Sequence, residues 1–379
     1  MRESTIRRFW RNWWWLVLII IADIIFVYWW FGPRRERLRE AALQAAAAEQ
    51  AALREQAILE ERQRRYEPIR VGFPTAQRNL LEIDNPDVYM ATASGRIESA
   101  HFGSTRTRST GGRLLPAFHM GIDIAPLQRD RRNRALDPIK AVADGRVGYA
   151  NRVIGHSNYG LYVVLEHDTS MGPIYTLYAH LRSIEDGIRP GAAVRKGDVL
   201  GIMGNTPSSI IPVARSHLHF EVGVMQNRRF AAWASSEEIR NLHGRHHGWN
   251  LAGIQPLALY ESTDPVQHFS MLSYLEALPA AFKLVVDAPR PVDYFLRYPL
   301  LWTGTGSPRG AMVLSVSEGG VVLQGRPATE NEVSGQRLPY VLHVDEDVLG
   351  RNGLRIVVSR GNAWQMGSNG IRWLSILLH

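Results

Sequence analysis

Four patterns of apolar and polar positions follow one another along the chain. From Trp13 to Phe31 it reads WWWLVLIIIADIIFVYWWF, apolar throughout except for Asp23, with tryptophans gathered at both ends. That is about the length of a helix crossing a hydrocarbon core, and such aromatic clusters mark the two interfaces. A cleaved signal peptide has a shorter apolar run and a small-x-small site behind it. Here Phe31-Gly32-Pro33-Arg34 follows, so residues 1–33 read as a short tail and a retained transmembrane signal anchor. Arginines at 2, 7, 8 and 11 balance those at 34, 35, 37 and 39, so flanking charge leaves the orientation open. A carboxylate mid-span costs about 2.5–3.5 kcal/mol on insertion scales. Asp23 is therefore either outweighed by its Ile and Leu neighbours or paired with a polar group on a partner helix.

Residues 34–67 form the second pattern, rich in Ala, Glu, Gln, Arg and Leu and free of Gly and Pro from Arg34 to Glu67. This composition predicts a helical spacer about 45–50 Å long. Leu38, Ala45, Ala52 and Leu59 recur every seven residues, but Glu55 and Arg62 interrupt the companion positions. The spacer thus reads either as a coiled coil, offering a homodimer or membrane-partner surface, or as a solvated single helix.

Residues 68–94 lack periodicity and read as a linker. Beyond them come short β-type runs, Arg146 to Val153, Leu161 to His167, Ile174 to Leu181 and His217 to Val224, separated by Gly, Pro, Asn and Asp turns. The fold class expected is mainly β, with an antiparallel domain over residues 95–284. A polar insertion follows Val224 and continues to about Asn250, and Met271 to Phe282 looks helical. From about Pro291 a second β section begins, with runs at Ala311 to Val316, Gly320 to Leu323, Tyr340 to Val344, Leu354 to Val358 and Ile371 to Leu378. It suggests a small sandwich over residues 285–379.

Composition narrows the chemistry. The chain has 379 residues, 45% hydrophobic and 21% charged, which excludes a disordered or collagen-like protein. It has no cysteine, which removes disulfides, thiolate metal sites, cysteine nucleophiles and iron–sulfur clusters. The net charge is +8, and up to Tyr66 there are 12 Arg against 8 Asp or Glu. That leaves +4 over the remaining 313 residues, too dilute for a nucleic-acid groove.

Thirteen histidines remain, and a few sit in informative surroundings. Phe118-His119-Met120-Gly121-Ile122-Asp123 spaces a histidine and an aspartate four apart around a glycine, and a bend there lets both reach one ion. Tyr178-Ala179-His180-Leu181 ends a β-type run whose alternation places Tyr178 and His180 on one face. In Ser216-His217-Leu218-His219-Phe220-Glu221-Val222 a period of two sets His217, His219 and Glu221 on one face and Leu218, Phe220 and Val222 on the other. Two imidazoles on a rigid strand suit Zn²⁺, and the set supplies three or four nitrogen and oxygen ligands. The insertion adds Leu242-His243-Gly244-Arg245-His246-His247-Gly248, either a second metal site or a mobile rim loop.

In order, H-x-G-x-D (His119, Gly121, Asp123), Y-x-H-L (Tyr178 to Leu181) and S-H-L-H-F-E (Ser216 to Glu221) resemble the lysostaphin or LytM-type zinc endopeptidases of peptidoglycan. Supporting stretches are Gly95-Arg96-Ile97 leading to Phe102-Gly103, Ala141 to Gly145, and Val194 to Asp198. The resemblance spans roughly Gly95 to Phe269. It implies one Zn²⁺ bound by His119, Asp123 and His219, with His180 and His217 beside it as catalytic residues. Tyr178, Tyr159 and Glu221 are substrate-binding or supporting candidates. Glu221 either fixes an imidazole tautomer or is a surface charge at a strand end. The family's substrate lies outside the cytoplasmic membrane of bacteria, so the resemblance also implies a cytoplasmic N-terminus, a single-pass inner-membrane anchor and an extracytoplasmic catalytic domain. Some relatives are instead non-catalytic regulators that activate a separate amidase and have lost metal ligands. The arginine-rich loop Arg129 to Arg134, and Leu161 in place of the usual asparagine, depart from the family pattern.

Overall fold

The computed structural model describes residues 14–30, 39–50, 53, 68–110, 113–262 and 267–379. The chain divides into two compact units, Met1–Arg64 and Arg65–His379. In the first, residues 14–30 and 39–50 are helical. The apolar side chains of residues 17–30, including Ile20, Ile24, Ile25 and Phe26, are exposed. No helix among the described residues is long and apolar enough to cross a membrane. The tail, residues 31–38 and the heptad positions Leu38, Ala52 and Leu59 lie outside the described residues.

Among the described residues every strand lies in the second unit, in chain order β1 (Ile69–Arg70), β2 (Thr105–Thr110), β3 (Arg113–Phe118), β4 (Ile122–Ile124), β5 (Pro138–Lys140), β6 (Gly145–Asn151), β7 (Leu161–His167), β8 (Ile174–Ile184), β9 (Ala193–Val194), β10 (Val199–Met203), β11 (Leu218–Met225), β12 (Leu251–Ile254) and β13 (His268–Phe269). After these come β14 (Phe282–Ala288), β15 (Gly310–Val316), β16 (Val322–Pro327), β17 (Tyr340–Val344), β18 (Val357–Arg360) and β19 (Ala363–Met366). The main sheet runs β12-β11-β8-β7-β6-β9, with β4 on β11 and β10 joining β5 to β8. Its named pairings are all antiparallel.

Alternation explains why this sheet can carry a site. Leu218, Phe220, Val222 and Val224 of β11 enter the large core with Ile174, Tyr178, Val163 and Leu165. On the opposite face, Tyr162, Val164, Tyr175, Leu177, Ala179 and Met225 form a smaller apolar cluster. Strand β11 is buried along its whole length, so the polar side chains it turns toward that second face, His219 and Glu221, are shielded from water.

The stretch read as a linker is packed. Val71, Leu80, Val88 and Tyr89 are in the core, and β1 pairs with β13. Turns rather than a repeating element hold it, so it shows no period. In the C-terminal section, four strands form a sheet in the order β16-β15-β14-β17 and β18-β19 is a separate hairpin. The helical-looking run ends at Ala277, and β14 starts at Phe282. The expected strand at Ile371 to Leu378 is instead part of a helix, Ser368–Leu378. Its buried residues are Gly370, Trp373, Leu374, Ile376 and Leu377, of which Gly370, Trp373, Leu374 and Leu377 stand at i, i+3, i+4 and i+7, the period of a helix face rather than of a pleat. The section is therefore a sheet, a hairpin and a helix, where a small sandwich was expected.

Candidate metal centre

Three of the expected ligands meet. His219 on β11 lies directly opposite Asp123 on β4, and Gly121 makes that closeness available. A Cβ on Gly121 would stand 2.3 Å from the Phe220 carbonyl oxygen, so only glycine lets the turn after His119 lie flat on β11. His119 Nε2 is 3.1 Å from Asp123 Oδ1 and 3.0 Å from His219 Nδ1, and His219 Nδ1 is 2.9 Å from Asp123 Oδ1. All three side chains are buried.

Their outer atoms fix which nitrogens face inward. A carbonyl oxygen only accepts, so His119 Nδ1, 2.8 Å from the His101 oxygen, donates to it and leaves Nε2 with a lone pair. His219 Nε2 donates to Glu221 Oε1 at 2.8 Å. Glu221 is buried rather than a surface charge. It also accepts from Tyr159 Oη at 2.5 Å and Tyr175 Oη at 3.1 Å. The inner atoms are thus two imidazole nitrogens and a carboxylate oxygen converging on one point. Ligands about 2.0–2.1 Å from a tetrahedral Zn²⁺ stand about 3.3 Å apart, so the triangle accepts an ion after a shift of a few tenths of an ångström. Among the described residues this is the one group of three His or acidic side chains close enough to hold a metal. Its two nitrogens and one oxygen are a zinc donor set.

Burial works against a charge on His219, but its bonds to Asp123 and Glu221 outweigh burial and raise it to about 9. Burial lowers His119 to about 4. Asp123 is held well below the usual carboxylate range; burial opposes this, but His119, His217 and Arg106 prevail.

His180 and His217 stand beside this group, with ring centres 4.8 Å apart and that of His180 5.7 Å from that of His219. His217 Nε2 is 3.6 Å from Asp123 Oδ1. His180 Nδ1 donates to the Thr206 carbonyl at 2.8 Å and His217 Nδ1 to that of Arg215 at 2.7 Å. Each is therefore left with an unprotonated Nε2. Burial lowers both, His180 well below its ordinary value with help from neighbouring His217 and His219.

Tyr178 does not join them. Its hydroxyl accepts from the Val142 amide at 3.0 Å, and its ring packs on Phe220 in the core. Simple alternation would send His180 the same way. Instead, His180 has φ of 62°, and the β7–β8 register slips between Leu161 and Val163. This bulge turns the imidazole to the other side.

The histidines of the insertion form no second metal site. His243 bonds Tyr149 Oη at 3.1 Å and the His156 carbonyl at 3.0 Å. His246 Nε2 is 2.7 Å from Glu166 Oε1, and His247 stacks on Phe230. The rim they form is packed against β6 and β7. In the arginine-rich loop, Arg129 bonds the carbonyls of Val213 and Ala214, bracing the segment that leads into His217.

Sequence reasoning missed Tyr175, Arg106 and the carbonyls of His101, Thr206 and Arg215. Tyr175 was within reach, since it shares a β8 face with Leu177 and Ala179, and a buried tyrosine hydroxyl needs a partner. Arg106 Nη2 is 2.5 Å from Asp123 Oδ2, and its only signal was that a buried aspartate needs a countercharge.

Residues 117–230 match the model of Peptidase family M23. The family resemblance carried by the motifs therefore holds for that part of the chain, and it agrees with the donor set on Zn²⁺. An uncharacterized metalloprotease of Haemophilus influenzae is 32% identical over 123 residues, covering 32% of this chain and 22% of that protein. The chain thus spans under a quarter of that relative. A zinc-containing peptidase from Vibrio cholerae is 28% identical, with 35% of each chain covered and a TM-score of 0.24. The catalytic domain of lysostaphin from Staphylococcus simulans is 22% identical, with 33% of this chain and 77% of that one covered and a TM-score of 0.24.

Proposed function

We propose that this chain is a membrane-anchored, zinc-dependent endopeptidase that hydrolyses peptide bonds in the stems or cross-bridges of peptidoglycan. The observation that carries the reading is the convergence of His119 Nε2, Asp123 Oδ1 and His219 Nδ1 on one point with two further imidazoles alongside. When bound, zinc supplies a Lewis acid that polarises the scissile carbonyl and brings the pKa of a water to about 7. Three protein ligands leave room for that water.

The remaining work falls to this chain's own groups. His180 and His217 are neutral near pH 7 because burial disfavours their charged forms. Either Nε2 can take the proton of the attacking water and return it to the departing amine. Once protonated, the same nitrogen can donate to the developing oxyanion. The carbonyls of Thr206 and Arg215 keep both rings in the tautomer this requires. Glu221, fixed by Tyr159 and Tyr175, does the same for His219.

Anchoring rests on the Trp13 to Phe31 pattern and on the exposed apolar side chains of the helix at residues 14–30. With the N-terminus in the cytoplasm, Arg65–His379 would act on the outer side of the inner membrane.

The test uses the full chain in detergent micelles with purified sacculi. We expect release of soluble muropeptides that stops on chelation and returns with zinc. His219→Ala should lose the metal, whereas His180→Ala should keep it and lose about 10²–10⁴-fold in turnover. Intact sacculi despite full metal loading would favour a regulator that activates a separate amidase.

A further inference from the structure

The zinc reading uses one oxygen of Asp123, and the other is already held. Arg106 Nη2 lies 2.5 Å from Asp123 Oδ2 and passes 3.1 Å from His119 Nδ1. The guanidinium is anchored at its other edge, where Nε donates to the Ser99 carbonyl at 2.8 Å and Nη2 also reaches that oxygen. Ser99 belongs to the short helix Ile97–Ala100. Arg106 pairs with Ala117 across the β2–β3 hairpin, two residues before His119. One hairpin register therefore places the guanidinium against Asp123 and a ligand imidazole together.

We propose that Arg106 is a positioning residue: by occupying Oδ2 it confines Asp123 to single-oxygen ligation through Oδ1 and keeps a coordination position free for water. This rests on the zinc reading above. A buried carboxylate oxygen with no partner is costly. Without Arg106, Oδ2 would find its nearest positive charge in the ion and fill the place that hydrolysis needs open. The planar fork suits the task, since it satisfies a backbone carbonyl and a carboxylate at once.

Cobalt(II) reports coordination number directly, because four-coordinate sites absorb visible light far more strongly than five- or six-coordinate ones. In the full chain in detergent micelles, zinc is exchanged for cobalt in the wild type and in Arg106→Ala. We expect strong bands from the wild type, much weaker bands from the variant, and a loss of about 10–100-fold in turnover or metal affinity. A folded Arg106→Ala protein with the wild-type spectrum would show that Arg106 only braces Ser99, and would overturn the proposal. Weak bands from the wild type itself would also overturn it. If the alanine variant does not fold, Arg106→Gln, which keeps part of the stem but not the reach to Oδ2, is read in the same way, and an unchanged spectrum is again fatal. A wild-type chain that takes up no cobalt would overturn the zinc reading and this inference with it.

Discussion

His219 shows how much one side chain can depend on its two ends. Nδ1 faces Asp123 and Nε2 faces Glu221, so the ring lies between two carboxylates that together outweigh its burial. A cation is wanted at Nδ1, and a proton serves when the metal is absent. Zinc binding at pH 7 should therefore expel about one proton from the ligand side chains, since His219 sits at about 9 while His119, at about 4, is already neutral. The His219 share should vanish as pH rises past the His219 value, where the ring is neutral beforehand, leaving only the proton lost by the metal-bound water. Titration calorimetry in buffers of different ionisation enthalpy measures it directly. Glu221→Gln, which removes one of the two supporting charges, should reduce the release at pH 8. A release that does not fall by about one proton between pH 8 and 10 would contradict this assignment.

At the scale of elements, the site depends on two departures from regular strand geometry. One is the flat turn at Gly121, where a methyl group would collide with the Phe220 carbonyl. Gly121→Ala should destabilise the protein by about 1–3 kcal/mol and weaken zinc binding, because β4 must lift from β11 and carry Asp123 away from His219. Thermal unfolding and metal titration check both effects. An alanine variant with wild-type zinc affinity would mean the turn relaxes without moving Asp123. The other departure is the bulge at His180. The alternation from Leu218 to Val222 reads correctly because β11 is regular, and the same rule fails for Tyr178 and His180 because a slipped register intervenes. Periodicity also fails at Ile371 to Leu378, a run too apolar to tell pleat from helix until Gly370, Trp373, Leu374 and Leu377 are seen to share a buried face.

The largest core cluster runs from Val71 to Leu377 and joins the main sheet to the C-terminal section. Leu284, Val286 and Leu314 of the C-terminal sheet belong to the same buried cluster as Phe220 and Tyr178 beneath the site. The boundary expected between residues 284 and 285 falls inside β14. Leu284→Ala should therefore cost about 2–5 kcal/mol and lower a single unfolding transition monitored jointly by near-ultraviolet dichroism and zinc release. Two separate transitions, with only the one uncoupled from zinc affected, would show instead that the C-terminal section is an independent domain.

What the sequence alone determined is what spacing can encode. His219 and Glu221 lie on one face of β11 because strands repeat every two residues. His119 and Asp123 flank a glycine, and the lack of cysteine leaves only nitrogen and oxygen ligands. The tertiary structure alone decided which atoms point inward. The carbonyls of His101, Thr206 and Arg215, the hydroxyl of Tyr175 and the guanidinium of Arg106 come from scattered parts of the chain with no common period. Their pairing depends on strand register and burial, which arise only when the sheet assembles, and no local pattern of residues records them.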